Sequence, residues 1–183
     1  MKKIVTAAAL LAASLAAHAQ FYGEVGYSVT TINEKADGKT SETKPKSLRG
    51  LVGYDFSENL ALEGIVGFGI GESNLTEKTN AGSTNVGKVK LNNVVGLFIT
   101  PKVQIIDGLE ASLRLGVART SLKTKIDGES DTEISTSTAY GIGVRYMIDS
   151  QFSINADYMD YGRVGEEKNR KAKGFTIGAG YKF

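Results

Sequence analysis

The sequence predicts an all-β chain: an eight-stranded antiparallel up-and-down transmembrane β-barrel with four long loops and three short turns. Three observations carry this. Segments of apolar/polar alternation recur along the chain and continue to its last residue. The connections between them alternate in length, long then short. The face opposite the apolar one collects acids and bases in equal number. A strand that meets lipid on one side needs only every second residue apolar, so a slightly negative mean hydropathy is compatible with a spanning sheet.

Taken in order, the first strand covers about 21–32, with Phe21, Gly23, Val25, Tyr27 and Val29 on the apolar face. The second covers about 47–56 and presents Leu48, Val52, Tyr54 and Phe56. The third, about 60–71, presents Leu60, Leu62, Val66, Phe68 and Ile70. The fourth, about 89–99, presents Val89, Leu91, Val95, Leu97 and Ile99, with Asn93 interrupting that face. The fifth, about 109–120, shows Leu109, Ala111, Leu113, Leu115 and Val117. The sixth, about 136–148, shows Tyr140, Ile142, Val144, Tyr146 and Ile148. The seventh, about 152–161, shows Phe152, Ile154, Ala156 and Tyr158. The eighth is Gly174–Phe183, with Phe175, Ile177, Ala179, Tyr181 and Phe183 on one face and Thr176, Gly178, Gly180 and Lys182 on the other.

Ser57-Glu58-Asn59 and Ser150-Gln151 read as tight turns, and 100–108, containing Pro101, as a longer one. Polar segments 33–46, 72–88, 121–135 and 163–172 read as the long loops. In lipid an unpaired backbone group costs several kcal/mol, so a spanning sheet closes on itself. Eight strands enclose a lumen that side chains just fill. Phe21, Phe56, Phe152 and Phe183, with Tyr54, Tyr146 and Tyr181, fall at the turn ends of their strands, as an interfacial aromatic belt would. Tyr140, Tyr158 and Phe175 are placed to contribute to an opposite belt.

The amino terminus has the pattern of a secretory signal peptide. Lys2 and Lys3 precede an apolar stretch, Ile4 to Ala17, and Ala17-His18-Ala19 offers a small-residue cleavage site. The stretch is shorter than the roughly 20 residues of a helical span. The expected division is a signal peptide over 1–19 and a barrel domain over 20–183. Residues 20–183 hold 20 basic and 20 acidic residues, which provides no bulk attraction for nucleic acid. They hold no His, Cys or Trp. A zinc site on His or Cys and a His-dependent nucleophile are therefore excluded there, and no cofactor or metal is expected.

Glu24, Arg49, Glu63, Glu110, Arg114, Arg145, Asp157 and Lys182 all take inward parity, four acids and four bases. Unpaired charges in a narrow lumen are prohibitively unfavourable, so a balanced set implies ion pairs. The expected arrangement is a polar plug, and pairing of the eighth strand with the first is expected to bring Lys182 towards Glu24. The alternative is a gated ion pathway that opens by exchanging salt-bridge partners. Gly67-Phe-Gly-Ile-Gly71 lacks the following helix that a nucleotide-binding loop needs, and Asp127, Glu129, Asp131 and Glu133 lack the glycine and closing Glu of a calcium loop. Asn74-Leu-Thr76 fits a glycosylation sequon, read as chance in a chain exported this way. The fourth loop carries Arg163, Lys168, Arg170, Lys171 and Lys173 against Glu166 and Glu167, a set suited to lipopolysaccharide phosphates.

Tyr140-Gly-Ile-Gly-Val-Arg-Tyr146, Phe152-Ser-Ile-Asn-Ala-Asp-Tyr158 and Gly174–Phe183 together resemble the last three strands of small outer-membrane barrels of the OmpX/Ail and OmpA-barrel type. The resemblance implies a Gram-negative outer membrane, with both termini and the short turns on the periplasmic side and the long loops outside. It implies roles in envelope integrity, adhesion or contact with a host or cell-surface ligand. It also implies a terminal aromatic, with Tyr181 and Phe183, that the barrel-assembly machinery reads. The expected protein is a non-enzymatic monomer. The alternatives are a narrow or gated porin-like channel and a soluble periplasmic lipocalin-like barrel. Lipid-modifying barrel enzymes of this size use His with Ser, which residues 20–183 cannot supply.

Overall fold

Alternation places β-branched and aromatic residues on one side of each segment and small or polar residues on the other, which is the surface a pleated strand presents. The computed structural model describes residues 20–36, 39–79, 82–126, 129–164 and 170–183. The expected signal peptide lies outside the described residues. The described strands are β1 (Phe21–Ala36), β2 (Lys39–Thr43), β3 (Lys46–Ser57), β4 (Leu60–Gly69), β5 (Ser73–Thr79), β6 (Gly82–Ile106), β7 (Leu109–Ile126), β8 (Glu129–Met147), β9 (Phe152–Val164) and β10 (Arg170–Lys182). All pair antiparallel, and β1 pairs with β10 from Tyr22↔Lys182 to Glu34↔Arg170, which closes the ring.

β2 and β3 are two pieces of one stave, interrupted at Lys44-Pro45. β4 and β5 are two pieces of the next, interrupted at Ile70-Gly71-Glu72. The barrel therefore has the eight staves expected. Glu58-Asn59 joins β3 to β4, Asp107-Gly108 joins β6 to β7, and 148–151 joins β8 to β9. In the last turn, Asp149 accepts the N–H groups of Gln151 at 2.8 Å and Phe152 at 2.7 Å. Those bonds favour the carboxylate and hold the Asp149 carboxyl below its usual range.

Four expectations change. The polar segments are not long loops. Much of each is strand, with the β7–β8 ladder running to Ile126↔Glu129 and the β1–β2 ladder to Ala36↔Lys39. Ladder bonds satisfy the backbone whatever the side chains are, so Ser/Thr-rich continuations stay paired beyond the apolar band. The segment 100–108 is likewise strand up to a two-residue turn. Pro101 fits because it ends the β4 ladder opposite Leu60 and takes no place in the β7 ladder, so its missing N–H removes no bond. Gly108 adopts φ 76°, the left-handed conformation an Asp-Gly turn uses. Third, a bulge between Leu91 and Asn93 inserts one residue in β6. Parity flips there, so Val89 and Leu91 point inward and are buried, while Val95, Leu97 and Ile99 face out. Fourth, Lys182 lies opposite Tyr22 rather than beside Glu24, and its ammonium is 3.9 Å from Asp55.

The outward side chains of the staves, among them Val25, Val52, Phe68, Leu97, Ile142 and Ile177, are exposed to the surroundings as an apolar band. At the turn end Tyr54 contacts Phe21 at 4.8 Å and Phe56 at 5.0 Å between ring centroids. Tyr181 contacts Phe152 at 5.1 Å and Phe183 at 5.2 Å. The Phe183 N–H donates to the Phe21 carbonyl at 3.0 Å, so the two ring clusters meet across the closing seam.

Candidate functional site

The inward parity of the eight staves brings their charged side chains into one luminal network near the turn end. Glu63 on β4, 1% exposed, is its centre. It accepts from the Tyr22 hydroxyl at 2.6 Å, the Thr100 hydroxyl at 3.0 Å, and Arg114 Nε at 2.5 Å and Nη2 at 3.3 Å. Arg49 and Asp157 face each other across the lumen as a bidentate pair, with Nη1 to Oδ1 at 2.7 Å and Nη2 bonded to Oδ2. Arg114 Nη1 lies 3.6 Å from Asp157, linking the two clusters. Arg145 donates to Glu24 from Nε at 3.0 Å and Nη2 at 2.6 Å, and to Glu110 from Nη1 at 3.1 Å. Its guanidinium stacks 4.1 Å above the Tyr22 ring.

All eight residues singled out from parity thus have luminal positions, although Lys182 stands at the rim with its side chain 43% exposed. Besides the Thr100 hydroxyl, three members escaped the sequence reading. Lys102 Nζ bridges Asp55 at 2.9 Å and Glu110 at 3.1 Å. Lys102 was read as part of a turn, and Asp55 shares the parity of Arg49 on β3. Tyr22 shares the parity of Glu24. Counting parity through to the strand ends would have found all three. Every stave contributes at least one of these charges, so the network ties the whole circumference together. A vestibule of about 180 Å³ opens at this end, lined by Asp55, Lys102, Glu110, Arg145 and Lys182.

Beside and beyond this network the lumen also holds apolar side chains, which the expected polar plug did not include, among buried hydroxyls such as those of Ser28, Ser47, Thr120 and Thr176. Ile65, Val94, Phe98, Leu122, Met159 and Val164 are buried there, Met159 completely. Small residues make room for large ones. A Cβ on Gly53 would sit 2.1 Å from the Tyr22 ring, and one on Gly141 would sit 2.2 Å from the Met159 sulfur. Among the described residues no group of three His, Cys, Asp or Glu is placed to hold a metal ion.

At the hairpin end Gly162 takes φ 74° in a bulge of β9, where Tyr161 and Gly162 lie opposite the single residue Ala172. The bulge turns Arg163 outward and Val164 inward. Arg163 pairs in register with Lys171, and Lys173 with Asp160, whose carboxylate is 3.6 Å from its ammonium. Arg163, Lys171 and Lys173 therefore share the outer face, just beyond Tyr158 and Phe175. Arg170 has the opposite parity and donates to Glu133 at 2.9 Å. Lys168 lies outside the described residues.

Comparison with known proteins agrees with this geometry. The family model of the outer membrane protein beta-barrel domain matches residues 4–183. The attachment invasion locus protein of Yersinia enterocolitica is 26% identical over 190 aligned residues that span all of both chains. The crystal structure of Ail, the attachment invasion locus protein of Yersinia pestis, superposes with a TM-score of 0.62 at 19% identity, over 90% of this chain and 98% of that one. The same protein in complex with the heparin analogue sucrose octasulfate gives 0.59 at 19% identity over the same shares. Neisserial surface protein A gives 0.63 at 16% identity, over 89% and 97%. The structural likenesses show the shared fold, and the family model covers all of the described barrel. The chain belongs to the family of the outer membrane protein beta-barrel domain.

Proposed function

We propose that this protein is a non-enzymatic, monomeric surface-interaction barrel, with its short turns and both termini in the periplasm and its hairpins outside. One observation carries the reading: a lumen filled by charged, hydroxyl and apolar side chains lies beneath hairpins that stay paired well past the apolar band. Such a barrel has its free chemistry on the outside. The names of the Yersinia relatives, and the sulfated ligand of one, support adhesion or contact with a cell-surface ligand. The outward trio Arg163, Lys171 and Lys173 supports contact with lipopolysaccharide phosphates, which guanidinium and ammonium groups neutralise well. The ring cluster of Phe152, Tyr181 and Phe183 supports a terminal strand read by the assembly machinery.

The test is adhesion and lipopolysaccharide binding by the full chain. Changing Arg163, Lys171 and Lys173 together to Gln is expected to weaken lipopolysaccharide binding, with heat-modifiable migration on detergent gels unchanged. Shortening the β7–β8 hairpin is expected to reduce cell adherence. Unaltered binding and unaltered adherence would sink the proposal.

Planar-bilayer recordings provide a second check. The filled lumen leads to the expectation that the wild-type chain shows no steady conductance steps. Regular steps would return the narrow-channel alternative.

A further inference from the structure

The outer face of β7, β8 and β9 carries a low row between two high ones. Ala111 pairs with Val144, and Val144 pairs with Ala156. Leu109, Tyr146 and Ile154 stand in register on the turn side of that row. Leu113, Ile142 and Tyr158 stand on the hairpin side, and Phe175 continues their row on β10. Rows on one face lie two residues apart, about 7 Å along a strand. Two alanines between two bulky rows leave a groove of about 370 Å³, walled by Ile142, Val144, Tyr158 and Phe175 as well as Ala111 and Ala156. Gly143, which has no side chain, forms part of its floor.

The described residues leave this groove open, with Ile142, Val144, Tyr158 and Phe175 all exposed. It lies within the apolar band, so in the membrane its natural filling is hydrocarbon. Its hairpin side leads to the outward cations. Lys173 is two residues beyond Phe175 on the same face, and Asp160 is two beyond Tyr158. Arg163 and Lys171 follow on that face. Three cations against Asp160 leave a net positive mouth, which favours an anionic head group. Ala156 is in register with Ile177, four residues from Lys173 along β10, a distance of about 13 Å. A lipid whose phosphate sits on these cations sends its chains inward along this face, and the groove lies in their path.

We propose that the groove holds one acyl chain of a lipopolysaccharide molecule whose phosphate meets Arg163, Lys171 and Lys173. The inference goes beyond the phosphate contact and rests on it. Lipid tails are as apolar as leucine, so no hydrophobic gain draws a chain out of the surrounding bilayer. The groove supplies close packing instead, with the row of Ala111, Val144 and Ala156 beneath the chain and bulky side chains on both flanks. Dispersion contacts are small singly and accumulate along a chain. The tether matters as much: a chain joined to a head group already bound is presented to the groove at high effective concentration.

The full chain, labelled with carbon-13 at its alanine methyl groups, is placed in phosphatidylcholine nanodiscs. It is titrated with lipid A, the acylated and phosphorylated part of lipopolysaccharide, and separately with phosphatidylglycerol. Saturable shifts of the Ala111 and Ala156 methyls with lipid A alone are expected, with the exposed Ala179 of β10 unmoved. Ala156→Leu and, independently, Ala111→Leu fill the groove, and the remaining alanine reports binding. Each is expected to weaken lipid A binding about threefold, the scale of single side-chain contacts within membranes, with heat-modifiable migration unchanged. No shifts, equal shifts with phosphatidylglycerol or at Ala179, or binding that neither variant alters would overturn the inference. Shifts that follow the number of barrels per disc would put a second copy in the groove and overturn it as well. The variant with Arg163, Lys171 and Lys173 changed together to Gln separates the two readings. Weaker binding there alone removes the groove site and leaves the phosphate contact standing. Unaltered binding there removes the phosphate contact itself, and the inference with it.

Discussion

Replacing Glu63 with Ala is expected to lower the unfolding free energy by about 3–5 kcal/mol, the magnitude seen when one partner of a buried ion pair is removed. The variant leaves the buried Arg114 guanidinium without its closest carboxylate and the Tyr22 and Thr100 hydroxyls without an acceptor. Glu63→Gln keeps an acceptor for the hydroxyls and is expected to lose less. The paired change Glu63→Leu with Arg114→Met is expected to lose less than Glu63→Ala alone, because no uncompensated charge remains buried. Urea unfolding of the barrel in lipid bilayers measures all three. An unchanged midpoint for Glu63→Ala would mean that the luminal network contributes nothing to stability.

The second large effect is expected from a single methyl group. Gly53→Ala places a Cβ 2.1 to 2.5 Å from three carbons of the Tyr22 ring. The ring has no easy escape. It is buried, its hydroxyl is held by Glu63 at 2.6 Å, and Arg145 lies across its face. Moving it forfeits the hydrogen bond and the stacking, so overpacking and a lost bond to a buried carboxylate combine to a loss of about 3 kcal/mol. The mechanism is tested by a double-mutant cycle with Tyr22→Leu. Once the ring is gone, Gly53→Ala is expected to add little, giving a coupling of about 1 kcal/mol or more. Strict additivity would show that the alanine acts elsewhere.

Eight of the luminal charges were legible because parity is local. Glu24, Arg49, Glu63, Glu110, Arg114, Arg145, Asp157 and Lys182 lie within alternation, where each residue's side of the sheet follows from its neighbours. Lys102 was not, because Pro101 read as punctuation, and Asp55 was not singled out although it shares the parity of Arg49 in the second strand. Partner choice was not legible anywhere. Lys182 meets Asp55 rather than Glu24, and Arg49 reaches across to Asp157, because stave tilt and stagger set which inward residues share a level. The bulges at Asn92 and Gly162 were equally hidden. Each depends on what the neighbouring strand offers, and each puts the residues on its two sides into opposite parity. That is why Val89 and Leu91 became core and Arg163 became surface.

The sequence by itself determined the class of object. Period-two alternation needs only adjacent residues, and edges that lipid will not tolerate force the strands into a closed ring, so eight staves, an apolar outside and a charged inside follow without coordinates. The tertiary structure alone decided where apolar side chains enter the lumen, which charges pair, and that two neighbouring staves are interrupted. Those features depend on stagger between strands distant in sequence, and a pattern along one chain holds no record of the level at which another strand will stand.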